Sequence, residues 1–174
     1  MSQGIHQFNI TYVAEEDRLL LRVLTHERKE FRFWFTRNLI KTLWPALLKV
    51  ISSSLSTIPA ATPAARDSML GFKHQAAVDK ADISTAYQDD AMERPLGDSP
   101  VLVVTVRLSY SLKGGPYTIV LLPRDSSGID LKMDEQMMHS FCNFIAKISN
   151  KAGWDLGLVI SKENHAIPAG MPLN

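Results

Sequence analysis

The sequence predicts an α+β protein of antiparallel sheets, made from two β-β-β-(β)-α halves that form a pseudo-repeat. Three observations carry this expectation. Runs of strict alternation occur in two groups, each group gives way to apolar residues at helical spacing, and the two helical patterns match in phase. A chain of 174 residues, 45% hydrophobic and 21% charged, holds one domain with a real core or two small halves that share one.

Residues 5–13, IHQFNITYV, set Phe8, Ile10 and Tyr12 on one side and Gln7, Asn9 and Thr11 on the other, which is a half-buried strand. A turn at AEED leads to residues 18–25, where Leu19, Leu21 and Val23 alternate with Arg18, Leu20, Arg22 and Leu24. After HERK, Phe31, Phe33 and Phe35 alternate with Glu30, Arg32 and Trp34. Short strands joined by short polar turns read as an antiparallel meander. At Thr36 the period changes. Thr36 is a natural N-cap, and Leu39, Ile40, Leu43, Leu47 and Leu48 follow at helix spacing as far as Ile51, with a kink or a restarted helix expected at Pro45.

The second half repeats the plan. PVLVVTVRLSY, from residue 100, is a strand with Leu102, Val104, Val106, Leu108 and Tyr110 expected inward and Val101, Val103, Thr105, Arg107 and Ser109 outward. SLKGGP, YTIVLL, PRDSSG and IDLKM then read as turn, strand, turn and strand. Asp134 caps a helix closed by Gly153, and WDLGLVIS is expected to add a last short strand. Counted from its cap, each helix carries apolar residues at +3, +4, +7, +11 and +12; in the second they are Met137, Met138, Phe141, Ile145 and Ala146.

The expected organisation is a first half over 1–55, a mobile acidic linker or insertion over 56–98, a second half over 99–161, and a frayed tail over 162–174. The middle segment is rich in Ser, Ala and Pro and holds 4 basic and 7 acidic residues, against 8 and 5 in the first fifty. A weak helix is expected through DSMLGFKHQAAVDKA, with Met69, Phe72 and Ala76 on one side.

The doubled strand-and-helix pattern, over residues 5–55 and 100–155, resembles the Whirly and Pur-type single-stranded nucleic acid binding folds. That resemblance implies an outward sheet face that meets the nucleic acid strand, and it carries over no site residues. Separately, EEDRLLLRVLT…FRFWFTRNLIKTLWPALLKV is similar to the N-terminal half of a family of uncharacterised bacterial proteins, which implies no activity.

Most catalytic chemistry finds no foothold. Cys142 is the one cysteine, so no intrachain disulfide forms, and its mid-helix position suits a small buried thiol. None of His6, His26, His74, His139 and His165 is paired at i, i+4, and HERKE lacks the second histidine of the zinc motif. KGGPY is a hairpin turn without the P-loop pattern, RDSSGID lacks a nucleophile elbow, and the EED carboxylates sit in a solvated turn. The N-terminus lacks the layout of a signal peptide, and no apolar run reaches the roughly 18 residues of a membrane span, so the expected location is the cytoplasm.

What survives is a face. Gln7, Asn9, Thr11, Arg18, Leu20, Arg22, Arg32 and Trp34 lie opposite the core residues of the first meander. Expected from it is a non-enzymatic binding or assembly protein acting through a sheet face and protein–protein contacts. Self-association is favoured by unpaired strand edges and by the apolar outward positions Leu20, Leu24, Val101 and Val103. The alternative is single-stranded nucleic acid, with Arg18, Arg22 and Arg32 on phosphates and Trp34 stacked on a base. An enzyme of unknown class is the second alternative. No cofactor, metal or membrane partner is expected.

Overall fold

The computed structural model describes residues 2–55, 62–80, 86–87, 93–111, 115–124 and 128–161. The expected frayed tail and parts of the expected linker lie outside these residues. The elements are β1 (Ser2–Val13), β2 (Arg18–Thr25), β3 (Glu30–Thr36), α1 (Arg37–Ser52) with a following single 3-10 turn (Ser53–Leu55), α2 (Pro63–Lys80), β4 (Val101–Ser109), β5 (Tyr117–Pro123), β6 (Ile129–Met133) and α3 (Glu135–Lys151). The protein is α+β and its sheet is mostly antiparallel.

The six strands close into one barrel in sequence order. β1-β2-β3 and β4-β5-β6 are antiparallel meanders, and two short parallel pairings join them. Phe33 and Trp34 of β3 pair with Val101 and Leu102 of β4, while Ser2, Gln3 and Gly4 of β1 pair with Asp130, Leu131 and Lys132 of β6. β1 and β4 each serve two neighbours because each slips register just past its parallel segment, at Ile5/Gln7 and at Val103/Thr105. Such bulges bend a strand and raise its twist, which is what closing a narrow barrel requires.

One continuous core unites both halves and the helices. Leu19, Leu21, Val23, Phe31, Phe33 and Phe35 are buried on the face the alternation assigned to them, and Phe8 and Tyr12 pack partly buried beside buried Ile10. The helices cross between halves. α3 lies on β1 and β6, with Phe8 edge-on to Phe141 and Phe144, and α1 lies on β3 and β4. Both expected caps form: Thr36 Oγ1 accepts from Leu39 N–H at 3.1 Å, and Asp134 Oδ1 accepts from Met137 N–H at 2.7 Å. α1 is helical across Pro45, which sits on its exposed side.

Three expectations are corrected. The bulge at Val103/Thr105 flips the parity of β4, so Val103 is buried and Val104 is exposed, while Val106, Leu108 and Tyr110 keep their inward face. Leu24 is buried; it lies opposite Glu30, at the end of the meander where Glu30 N–H donates to Glu93 O. No strand forms over 154–161, because Asp155 (φ 38°) and Gly157 (φ 59°) take left-handed backbone that breaks extended structure.

The end of α3 explains what replaces that strand. Gly153, at φ 70°, donates to Asn150 O, and Trp154 N–H reaches back to Ser149 O. This Schellman closure turns the chain so that Trp154 folds under the barrel rim. Its indole Nε1–H donates to Asp17 Oδ1 at 2.8 Å, its ring meets Tyr12 edge-on, and its carbonyl accepts from Arg37 at 2.7 Å. One buried tryptophan thereby ties the end of α3 to the β1–β2 turn and to the start of α1.

Candidate interaction surface

The register of the first meander puts Arg22 directly opposite Arg32, and Trp34 opposite Leu20. Like charges facing each other across a strand pair repel, so this arrangement needs a counter-charge. Glu30 supplies it. Its carboxylate accepts from Arg22 Nε at 2.8 Å, Arg32 Nε at 2.8 Å, Arg94 Nε at 3.1 Å and the Tyr87 hydroxyl at 3.0 Å. Glu30 is only 1% exposed. Burial alone pushes a carboxyl up, but the bonds from Arg94, Arg22, Arg32 and Tyr87 outweigh it and hold Glu30 at about 2.

Residues from the middle of the chain complete this cover. The Tyr87 ring lies 4.2 Å from the Arg22 guanidinium carbon, Gln7 Nε2 donates to Ala86 O, and Arg94 reaches Asp98 at 2.9 Å. Arg32 also donates to Asp98 O. Of the four residues assigned to a binding face, Arg22 and Arg32 are therefore brought together on an internal carboxylate. Arg18 stands apart and pairs with Glu16 at 3.2 Å. Trp34 is half-buried beside Leu20 and Leu102.

An exposed apolar surface lies elsewhere, on α2. This helix buries Leu70, Gly71 and His74. Its other face carries Met69 and Phe72, exposed by 37% and 78%, with Ala76 one turn on. The sequence put these three on one side of a helix, and that side faces water. Spacings of three and four residues align them in a single stripe. Polar contacts with partners outside the helix hold the buried side, among them Lys73 Nζ to Glu135 Oε1 at 2.7 Å and the ring nitrogens of His74 and His139 at 3.1 Å. Another, Ser161 Oγ to Asp67 Oδ2 at 3.0 Å, fastens its first turns.

The remaining chemistry is muted. A groove of about 450 Å³ between the end of α1 and the start of α2 is lined mainly by Leu48, Leu55, Leu70 and Ile160, with Lys49, Arg66 and Asp67 at its edge. Cys142 is fully buried, and burial pushes its thiol up to about 12, far from a thiolate. Among the described residues, no three His, Cys, Asp or Glu side chains gather as a metal site, and no helix is long and apolar enough to cross a membrane. No family model, curated protein or solved structure matches the chain.

The sequence admits Glu27 and Glu30 as cross-strand partners of the outward arginines, and the structure forms the Glu30 pairs, but nothing local singles out Glu30 as the hub of that face. A signal for the pairing existed, because Glu30 shares the outward parity of Arg32 and precedes it by two residues. What no local pattern carries is that Ala86, Tyr87 and residues 93–98 return to cover it.

Proposed function

We propose that this chain is a non-enzymatic assembly protein that associates with a second copy of itself through the outward face of α2. The observation that carries the reading is Phe72, exposed by 78% on a helix whose opposite face is fastened to α3. Leaving so large an apolar side chain in water forgoes roughly 1.5–3 kcal/mol relative to burying it. With Met69 and Ala76 beside it and polar residues around, it has the make-up of a contact patch.

Charge and symmetry favour a second copy as the occupant. A formal net charge of +1 puts little repulsion between copies. An isologous contact must be self-complementary. Two α2 helices packed antiparallel about Phe72 set Met69 of one against Gln75 of the other, and the Arg66 end of one against the Asp79 end of the other. Barrel closure narrows the alternative route, since the β3–β4 and β1–β6 pairings occupy part of each edge that an open meander would leave free. A single-stranded nucleic acid on the arginine face would have to displace Tyr87 from Arg22 and compete with Glu30 for three guanidiniums.

The same reading takes the two halves as copies of one unit. In support, the first strand of each half buries a residue before its bulge, Ile5 and Val103, and then turns inward at +3, +5 and +7 from it: Phe8, Ile10, Tyr12 and Val106, Leu108, Tyr110. Each half also ends in a helix capped by a side-chain oxygen at the same offset.

Sedimentation equilibrium from low to high micromolar tests the assembly. The intact chain should rise from 19.4 kDa toward twice that mass, and Phe72→Glu should stay monomeric with an unchanged circular dichroism spectrum. An intact chain that stays monomeric at every concentration overturns the proposal.

A further inference from the structure

The seam between α2 and α3 contains a pair the assembly reading does not use. His74 of α2 and His139 of α3 are 7% and 1% exposed, and their Nδ1 atoms lie 3.1 Å apart, with the rings tilted at 54°. At that separation one imidazole donates and the other accepts, so a single hydrogen occupies the space between them. The far nitrogen of His139, Nε2, is buried with no hydrogen-bond partner among the described residues. A charge on that ring finds no hydrogen-bond acceptor at Nε2 among the described residues, and a second proton between the rings would set two N–H groups head to head.

The surroundings do little to offset this. The charges acting on His139 are His74 and Lys73 from α2 and Glu135 from its own helix, and Lys73 and Glu135 pair with each other. Lys80 joins Lys73, Glu135 and His139 in lining a cavity of about 230 Å³ between α2 and α3. The 3-10 turn against α2 is Ser-Ser-Leu and carries no charge, and β1 meets α3 through Phe8. α2 itself is a poor helix to leave alone, with Gly71 at its centre and three buried residues.

The geometry points to the His74–His139 pair as a proton-operated clasp: with one shared hydrogen it fastens α2 to α3, and when both rings are protonated it lets α2 go. The inference holds whatever covers Phe72. Burial holds both imidazoles below the ordinary histidine value of 6.5, His139 at about 4 with His74 adding to the shift. The released helix therefore binds more protons than the docked one in this range. Docking is at full strength above about pH 6.5 and weakens as pH falls toward about 4, and the two rings titrate as a coupled pair.

Hydrogen exchange on the full chain tests this, with intrinsic rates corrected for pH. Between about pH 7 and about pH 4.5, protection of α2 amides should fall by up to about tenfold per pH unit for each proton taken up, while α3 and the strands hold theirs. His74→Gln keeps a side chain that gives or accepts one hydrogen bond but takes no proton, so only His139 remains to titrate and α2 should lose distinctly less protection over the same range. The Lys73–Glu135 pair is common to both proteins, so the difference belongs to the imidazoles. Unchanged α2 protection in the intact chain, or equal loss in His74→Gln, overturns the clasp. Should His74→Gln leave α2 undocked at neutral pH, the imidazole spectra of the intact chain decide. His74 and His139 titrating well below the ordinary histidine value of 6.5, in step with α2 exchange, uphold it; titration of both near 6.5 overturns it.

Discussion

Glu30 governs the outer surface of the first meander. It is buried, yet it stays ionised because three guanidiniums and one hydroxyl point at it. Breaking a buried ion pair from one side costs far more than the pair contributes when intact, since the remaining charges stay where they are. Glu30→Gln should therefore destabilise the protein by about 3–5 kcal/mol in urea melts. Arg32→Ala, which leaves Arg22 and Arg94 on the carboxylate, should cost only about 1.5–3 kcal/mol. Equal losses would mean that the guanidiniums act singly. The pH dependence follows from the same contacts. A carboxyl held at about 2 against an ordinary 4.5 binds fewer protons folded than unfolded between those values. Its stabilisation is complete above about pH 4.5 and is lost as pH falls toward about 2, and Glu30→Gln should flatten that part of the acid-denaturation curve. Phe33, with no exposed surface, is a core residue by contrast; Phe33→Ala should cost about 3–5 kcal/mol with no such pH dependence.

Helices and strands were legible to the extent that their signals are local. Alternation located the six strands, and Thr36 and Asp134 marked two helix starts, because a hydroxyl or carboxylate three residues ahead of a free N–H announces itself in sequence. Thr36→Ala and Asp134→Ala should each cost about 1 kcal/mol, read from thermal melts. The bulges were illegible, since the extra residue in β4 is a valine among valines and only its pairing with β5 reveals the parity change. WDLGLVIS misled for a related reason. It alternates like a strand, but Trp154 is claimed by the helix closure and by Asp17, the latter 137 residues away in sequence. The His74–His139 contact is equally non-local, bringing together two histidines that each look unremarkable on their own helix. For the candidate surface, the stripe Met69, Phe72 and Ala76 could be read from spacing, but whether it faces the core or water depends on where α3 lies.

At the scale of the whole molecule, the two halves are bound to each other by more than adjacency. The barrel has no seam that a single half could close, since β3 needs β4 and β1 needs β6. The helices are exchanged as well: α1 covers β4, and α3 covers β1. A half in isolation would expose Phe8 without Phe141 and Phe144, and would leave Ile40, Leu43 and Leu47 of α1 without the strand they help to cover. An isolated meander with one helix is also small for a self-sufficient core. A fragment of residues 1–55 should therefore lack a cooperative melting transition and a near-ultraviolet dichroism signal. The intact chain should unfold in one step, with tryptophan fluorescence and far-ultraviolet dichroism giving superimposable urea curves. Trp34 and Trp44 report on the first half and Trp154 on the junction, so an independent transition in either half would separate the two curves. Such a separation, or cooperative melting of the fragment, would show that the short parallel pairings decorate two autonomous units and do not weld them into one.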